Sequence, residues 1–149
     1  MLLKNLFCAS AFLLVAVSAS AQNEKGVTKY VNPFIGTGSV DQNSLKGNTF
    51  PGACVPFGMV QLSPDVKSKP TGHEPSGYDY GCNRIYGFSH THLSGTGCVD
   101  LLDVLVMPSS HSLDELSKTD DFSSTFSHAN EKASVGYYAV KLDEDGINA

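Results

Sequence analysis

Apolar residues gather once into a long stretch, Leu6 to Val17, and thereafter only into short runs punctuated by Gly and Pro. The first stretch follows a single cation, Lys4, and ends in the small residues Ala19-Ser20-Ala21. That layout is a secretory leader over residues 1–21, with cleavage expected before Gln22. Its apolar part is too short to cross a bilayer comfortably, and no later segment approaches that length, so no membrane partner is expected. Cys8 sits at the front of the apolar stretch instead of after it, preceded by Leu6-Phe7 and not by small residues, which argues against lipid attachment.

In the rest of the chain the periodicity is that of strands. Gly58–Leu62 reads as a strand stopped by Ser63-Pro64-Asp65, and Arg84–Ser89 as another. Leu101–Met107 is nearly all apolar and ends at Pro108, the pattern of a strand buried on both faces. Tyr137–Leu142 alternates Tyr138, Val140 and Leu142 against Tyr137, Ala139 and Lys141, and Asp143-Glu144-Asp145-Gly146 then reads as a hairpin turn. Only Ser112–Thr119 has helical character. Between Asn32 and Gly97 lie 11 Gly and 6 Pro, which rule out long helices there. The expected fold is all-β: one antiparallel β-sandwich over residues 22–149. The sequence stops at Ile147-Asn148-Ala149, where a returning strand should begin, so an unpaired edge at Tyr137–Leu142 and a truncated domain are expected.

Composition narrows the partners. The 149 residues are 41% hydrophobic and 17% charged, with a formal charge of −5 and no run of Lys or Arg. Such a surface gives no footprint for nucleic acid or anionic lipid. Removing the leader leaves Cys54, Cys82 and Cys98, too few for a disulfide scaffold, so a hydrophobic core must hold the fold.

Candidate chemistry sits in three loops. In the first, Gly47–Gly58, rings are presented between Gly and Pro; Phe57 reads as core, whereas Phe50 is open between core and sugar stacking. The second, His73–Tyr80, offers two tyrosines and Asp79, which could accept hydrogen bonds from vicinal hydroxyls or cap backbone amides in a turn. The third, Gly87–Gly97, carries His90 and His92 two residues apart. They suit a ligand-facing loop, a structural pair, or zinc with Cys98 as the nearest third ligand. Asp65, Asp79, Asp100 and Asp103 are available as carboxylates, yet no spacing selects a glycosidase pair, and no G-x-S-x-G, P-loop or H-E-x-x-H occurs. The residues alone describe a polar pocket without a reaction, and a stand-alone carbohydrate-binding module fits them too.

Six blocks go further: YVNPFIGTG (30–38), GNTFPGACVPFGMVQLSPD (47–65), SGYDY (76–80), IYGFSHTHLSGTG (85–97), DVLVMP (103–108) and EKASVGYYAVKL (131–142). In order, they resemble the N-terminal domain of glycoside hydrolase family 92, the calcium-dependent exo-α-mannosidases of secreted bacterial glycan degradation. The resemblance implies a β-sandwich packed on a larger (α/α)6 barrel, absent here, with the mannose pocket between them. It also implies inverting cleavage, α-1,2 linkages being expected, and a secreted or periplasmic location. Calcium is the implied cofactor, bound mainly by the barrel, which also supplies the catalytic acid and base. The implied contribution of this chain is substrate binding and domain interface through Asn48, Thr49, Phe50, Tyr78, Asp79, Tyr80, His90, His92, Ser94 and Gly95. No catalytic or metal-binding residue is expected in it, and alone it should be inactive. Val135 stands where the family pattern favours Pro, and the absence of Trp removes any stacking indole.

Overall fold

The computed structural model describes residues 26–38, 48–56, 58–66, 75–95, 97–98, 100–118 and 122–149. The leader expected at 1–21 and the core role expected of Phe57 lie outside them. Among the described residues no helix is long and apolar enough to cross a membrane. The architecture is all-β and antiparallel. Strand β1 (Ser63–Val66) pairs with β2 (Arg84–Ser89), β2 pairs with β3 (Ser124–Thr125), and β4 (Glu131–Ser134) forms a separate hairpin with β5 (Tyr137–Val140). Residues of both sheets meet in one core of Val66, Tyr78, Cys82, Ile85, Phe126, Val140 and Leu142, with Phe34, Phe50, Phe88, Met107 and Tyr138 packed around it.

Strand β2 runs as expected, with Ile85, Gly87 and Ser89 turned inward. Its neighbour is displaced from the expected Gly58–Leu62: Met59 and Val60 are exposed, and Leu62 makes only an isolated bridge to Ala53. The strand lies instead over Ser63-Pro64-Asp65-Val66, across the proline taken as its stop. Pro64 is tolerated because β1 is the sheet edge and its partner Phe88 sends its own N–H to Val106 O at 2.8 Å. A ladder bond is therefore not lost there.

Leu101–Met107 is not a doubly buried strand. Leu101, Leu102 and Val104 hold φ of 65°, 60° and 55°, a left-handed conformation that cannot continue a ladder and costs about 1–2 kcal/mol per residue. Only Val106 bridges β2, along the edge that β3 occupies further back, and Leu101, Val104, Leu105 and Val106 are exposed.

At the C-terminal end the alternation is realised, with Val140 and Leu142 buried and Tyr137 and Lys141 exposed. The turn forms too: Leu142 N–H donates to Ile147 O at 2.8 Å, and Val140 and Ala149 exchange bonds of 2.9 Å. The expected unpaired edge is thus corrected, since β5 has β4 on one side and residues 147–149 on the other. Glu144 fastens this turn to β3 by accepting from Ser124 Oγ and Thr125 N. The helical segment shrinks to α1 (Leu113–Leu116), where Ser112 and Glu115 form a capping box.

Candidate functional site

Sequence-distant loops interlock above the sheet through bonds that end on backbone atoms. Thr49 Oγ1 donates to Ile35 O at 3.0 Å, Ser76 Oγ to Thr49 O at 3.0 Å, Tyr80 N to Thr37 O at 2.9 Å and Gly95 N to Asn48 O at 2.6 Å. The segments of all three candidate loops, Asn48-Thr49-Phe50, Tyr78-Asp79-Tyr80 and His90–Gly95, are thereby gathered with residues 32–38. Beside them an open hollow of about 340 Å³ is lined by Asn32, Phe34, Gly36, Thr37, Gly38 and Tyr80.

Within this cluster the candidates divide by burial. Tyr80 is 45% exposed, and Ser94 and Gly95 are exposed. Asn48, Thr49, Phe50 and His90 are half-buried, and His90 Nδ1 lies 2.7 Å from Val104 O. Tyr78 and His92 are inside, and Asp79 is buried with its Oδ1 accepting from Gly81 N at 2.7 Å. Of the two roles the sequence leaves open for Asp79, this geometry is the turn-capping one.

His92 is the centre of a buried polar cluster on β1 and β2. Its Nδ1 lies 2.5 Å from Gln61 O, an acceptor only, so Nδ1 carries a proton and donates. Nε2 lies 3.1 Å from both Asp65 Oδ1 and Ser89 Oγ. The Phe50 ring leans on the imidazole at 4.9 Å between centroids. Gly77 closes the cluster: a Cβ there would fall 2.3 Å from Asp65 Oδ1. Among the described residues, Ser63 Oγ and Asp65 Oδ2 are buried without a hydrogen-bond partner. Each such atom costs on the order of 1–3 kcal/mol.

A second buried carboxylate, Glu131, was not singled out by the sequence. Its Oε1 accepts from Tyr78 OH at 2.7 Å and Tyr138 OH at 2.6 Å, and its Oε2 lies 2.6 Å from His128 Nδ1. Burial, reinforced by the Glu131 charge, pushes both phenols well above their ordinary range, so they stay protonated donors. His128 stacks against Tyr80, with centroids 4.0 Å apart and planes 17° apart.

The four Asp candidates are occupied locally. Asp65 holds His92, Asp79 caps Gly81, Asp100 accepts from Leu101 N at 2.8 Å, and Asp103 accepts from Thr91 Oγ1 at 3.1 Å. Among the described residues no three His, Cys, Asp or Glu side chains gather as a metal site. The alternative with His90, His92 and Cys98 around zinc therefore finds no three-ligand group among the described residues. Cys54, half-buried, is a free thiol.

The chain is thus an all-β domain that laces aromatic and hydroxyl-bearing loops together, with Asp65, Asp79 and Glu131 bonded within the cluster. The comparisons make the class specific. Residues 30–149 match the description "Glycosyl hydrolase family 92 N-terminal domain", and the chain belongs to this family. The family GH92 α-mannosidase BT3965 from Bacteroides thetaiotaomicron, solved also in complex with mannoimidazole, is 41% identical with a TM-score of 0.67, over 82% of this chain and 16% of that one. The GH92 inverting mannosidase BT2199 from Bacteroides thetaiotaomicron VPI-5482 is 29% identical with a TM-score of 0.50, over 79% of this chain and 15% of that one. An uncharacterized secreted glycosidase of Arthroderma benhamiae is 31% identical over 135 residues, 87% of this chain and 16% of that protein. The chain thus spans about a sixth of the length of its relatives.

Proposed function

We propose that this chain is the N-terminal module of a secreted α-mannosidase and forms one wall of its mannose pocket. The observation that carries this is the lacing together of residues 32–38, 48–50, 76–80 and 90–95 by hydrogen bonds, in a chain 41% identical to a family GH92 α-mannosidase. In this reading Tyr80, Phe34 and Asn48 meet sugar, while Tyr78, Asp79 and His92 hold the wall from behind. The barrel domain supplies the acid, the base and calcium. The reaction is glycoside hydrolysis with inversion, in which two carboxylates roughly 6.5–9.5 Å apart act as general acid and as base for water. Linkage preference is for α-1,2.

The test compares the complete protein encoded with this chain against residues 22–149 alone, on α-1,2-, α-1,3- and α-1,6-mannobiose. The complete protein should release mannose, initially as the β-anomer by NMR, and stop with EDTA. Turnover by residues 22–149 alone would overturn the assignment, and tight mannobiose binding by them in calorimetry would favour a stand-alone binding module.

A further inference from the structure

We propose that His128, anchored by Glu131, is a positioning residue that presets the plane of the Tyr80 ring at the mouth of the pocket. The inference rests on the reading that Tyr80 meets sugar. Tyr80 is the exposed ring of the hollow, and two contacts fix its plane. The Phe34 ring meets it edge-on at 5.5 Å and 67°, and the His128 imidazole lies flat against it at 4.0 Å and 17°.

His128 cannot turn freely beneath it. Nδ1 is 2.6 Å from Glu131 Oε2, and the Phe126 ring meets the imidazole edge-on at 5.1 Å and 84°. Glu131 is itself immobilised by two phenol hydroxyls on its other oxygen. The order of a buried carboxylate is passed through an imidazole to a surface ring, which then meets a ligand without first losing rotamer freedom. The same device recurs next to it, where Asp65 holds His92 and His92 carries the half-buried Phe50. Two carboxylate-held imidazoles under two aromatic rings, on loops that the backbone bonds already bring together, fit a preset ligand platform better than two unrelated packing accidents.

The test uses the complete enzyme with α-1,2-mannobiose. His128→Leu and His128→Phe both abolish the bond to Glu131 and differ mainly in the flat ring under Tyr80. His128→Leu should raise KM about 3- to 10-fold with kcat within about twofold. His128→Phe should keep KM within about twofold of the parent, although its Tm falls as far as that of His128→Leu. A purely structural role would lower Tm in both and leave both KM values alone, and that result overturns the proposal. Tyr80→Ala separates the premises: if it leaves KM unchanged, the placement of Tyr80 against sugar fails. If it raises KM while His128→Leu does not, only the positioning role fails. Should His128→Leu not fold, His128→Asn, which can still donate to Glu131 but has no ring, must show the same rise in KM or the proposal is wrong.

Discussion

Replacing Gly77 by Ala perturbs the site from behind, and its cost can be worked from two features. At φ +83° an L side chain is strained, and the new Cβ would sit 2.3 Å from Asp65 Oδ1 and 2.8 Å from His92 Cδ2. Relieving that contact moves the carboxylate by about 1 Å and breaks its 3.1 Å approach to His92 Nε2 inside the protein. Gly146 provides the control, because it has φ +66° with nothing within 4 Å of its Cβ. Gly146→Ala should therefore cost about 1 kcal/mol from backbone strain alone. Gly77→Ala should cost about 3–5 kcal/mol, since the buried contact of Asp65 with His92 is lost as well. In urea, unfolding of residues 22–149 should shift its midpoint by about 0.5 M for the control and about 1.5–2.5 M for Gly77→Ala. Near-ultraviolet circular dichroism can follow it, because the chain has six tyrosines and no tryptophan. Equal midpoints for the two variants would refute the packing of Gly77 on the Asp65–His92 pair.

Other outcomes are as specific. Leu142→Ala should destabilise by about 2–5 kcal/mol, because Leu142 is fully buried just before the final turn; a loss under 1 kcal/mol would remove that turn from the core. The phenols of Tyr78 and Tyr138 are raised above the ordinary value of 10.0, so above pH 10 they ionise in the unfolded chain and not in the folded one. Their stabilisation is thus complete below pH 10 and declines as pH rises, by up to about 1.4 kcal/mol per pH unit for each phenol. Flat stability between pH 10 and 11.5 would contradict their burial. Tyr138→Phe, which takes one donor from Glu131, should cost about 1–3 kcal/mol by urea unfolding, and a neutral result would show that Glu131 does not depend on it.

What the sequence made legible was whatever period and turn chemistry encode locally. Arg84–Ser89, the Tyr137–Leu142 alternation and the Asp143–Gly146 turn all stand where the pattern puts them. Leu101–Met107 misleads because apolar content reports a wish for burial without a partner that grants it, and left-handed residues turn the segment away from the ladder. Pro64 misleads because its effect depends on whether its strand is an edge, which is a tertiary property. The candidate loops were legible as chemistry, yet their division into exposed Tyr80 and enclosed Tyr78 was not, since two tyrosines of one motif, two residues apart, differ in burial through their tertiary contacts. His128 and Glu131 escaped notice because their significance lies in contacts with Tyr80, Tyr78 and Tyr138, which spacing along the chain does not reveal.

The bonds that lace the four segments together end on main-chain oxygens of Ile35, Thr37, Asn48 and Thr49. An oxygen of that kind is supplied by any amino acid. The side chains at positions 35 and 48 can therefore be exchanged over generations while the scaffold beneath keeps its shape. A lineage can therefore vary the chemistry of this rim by a few point changes without rebuilding the frame each time.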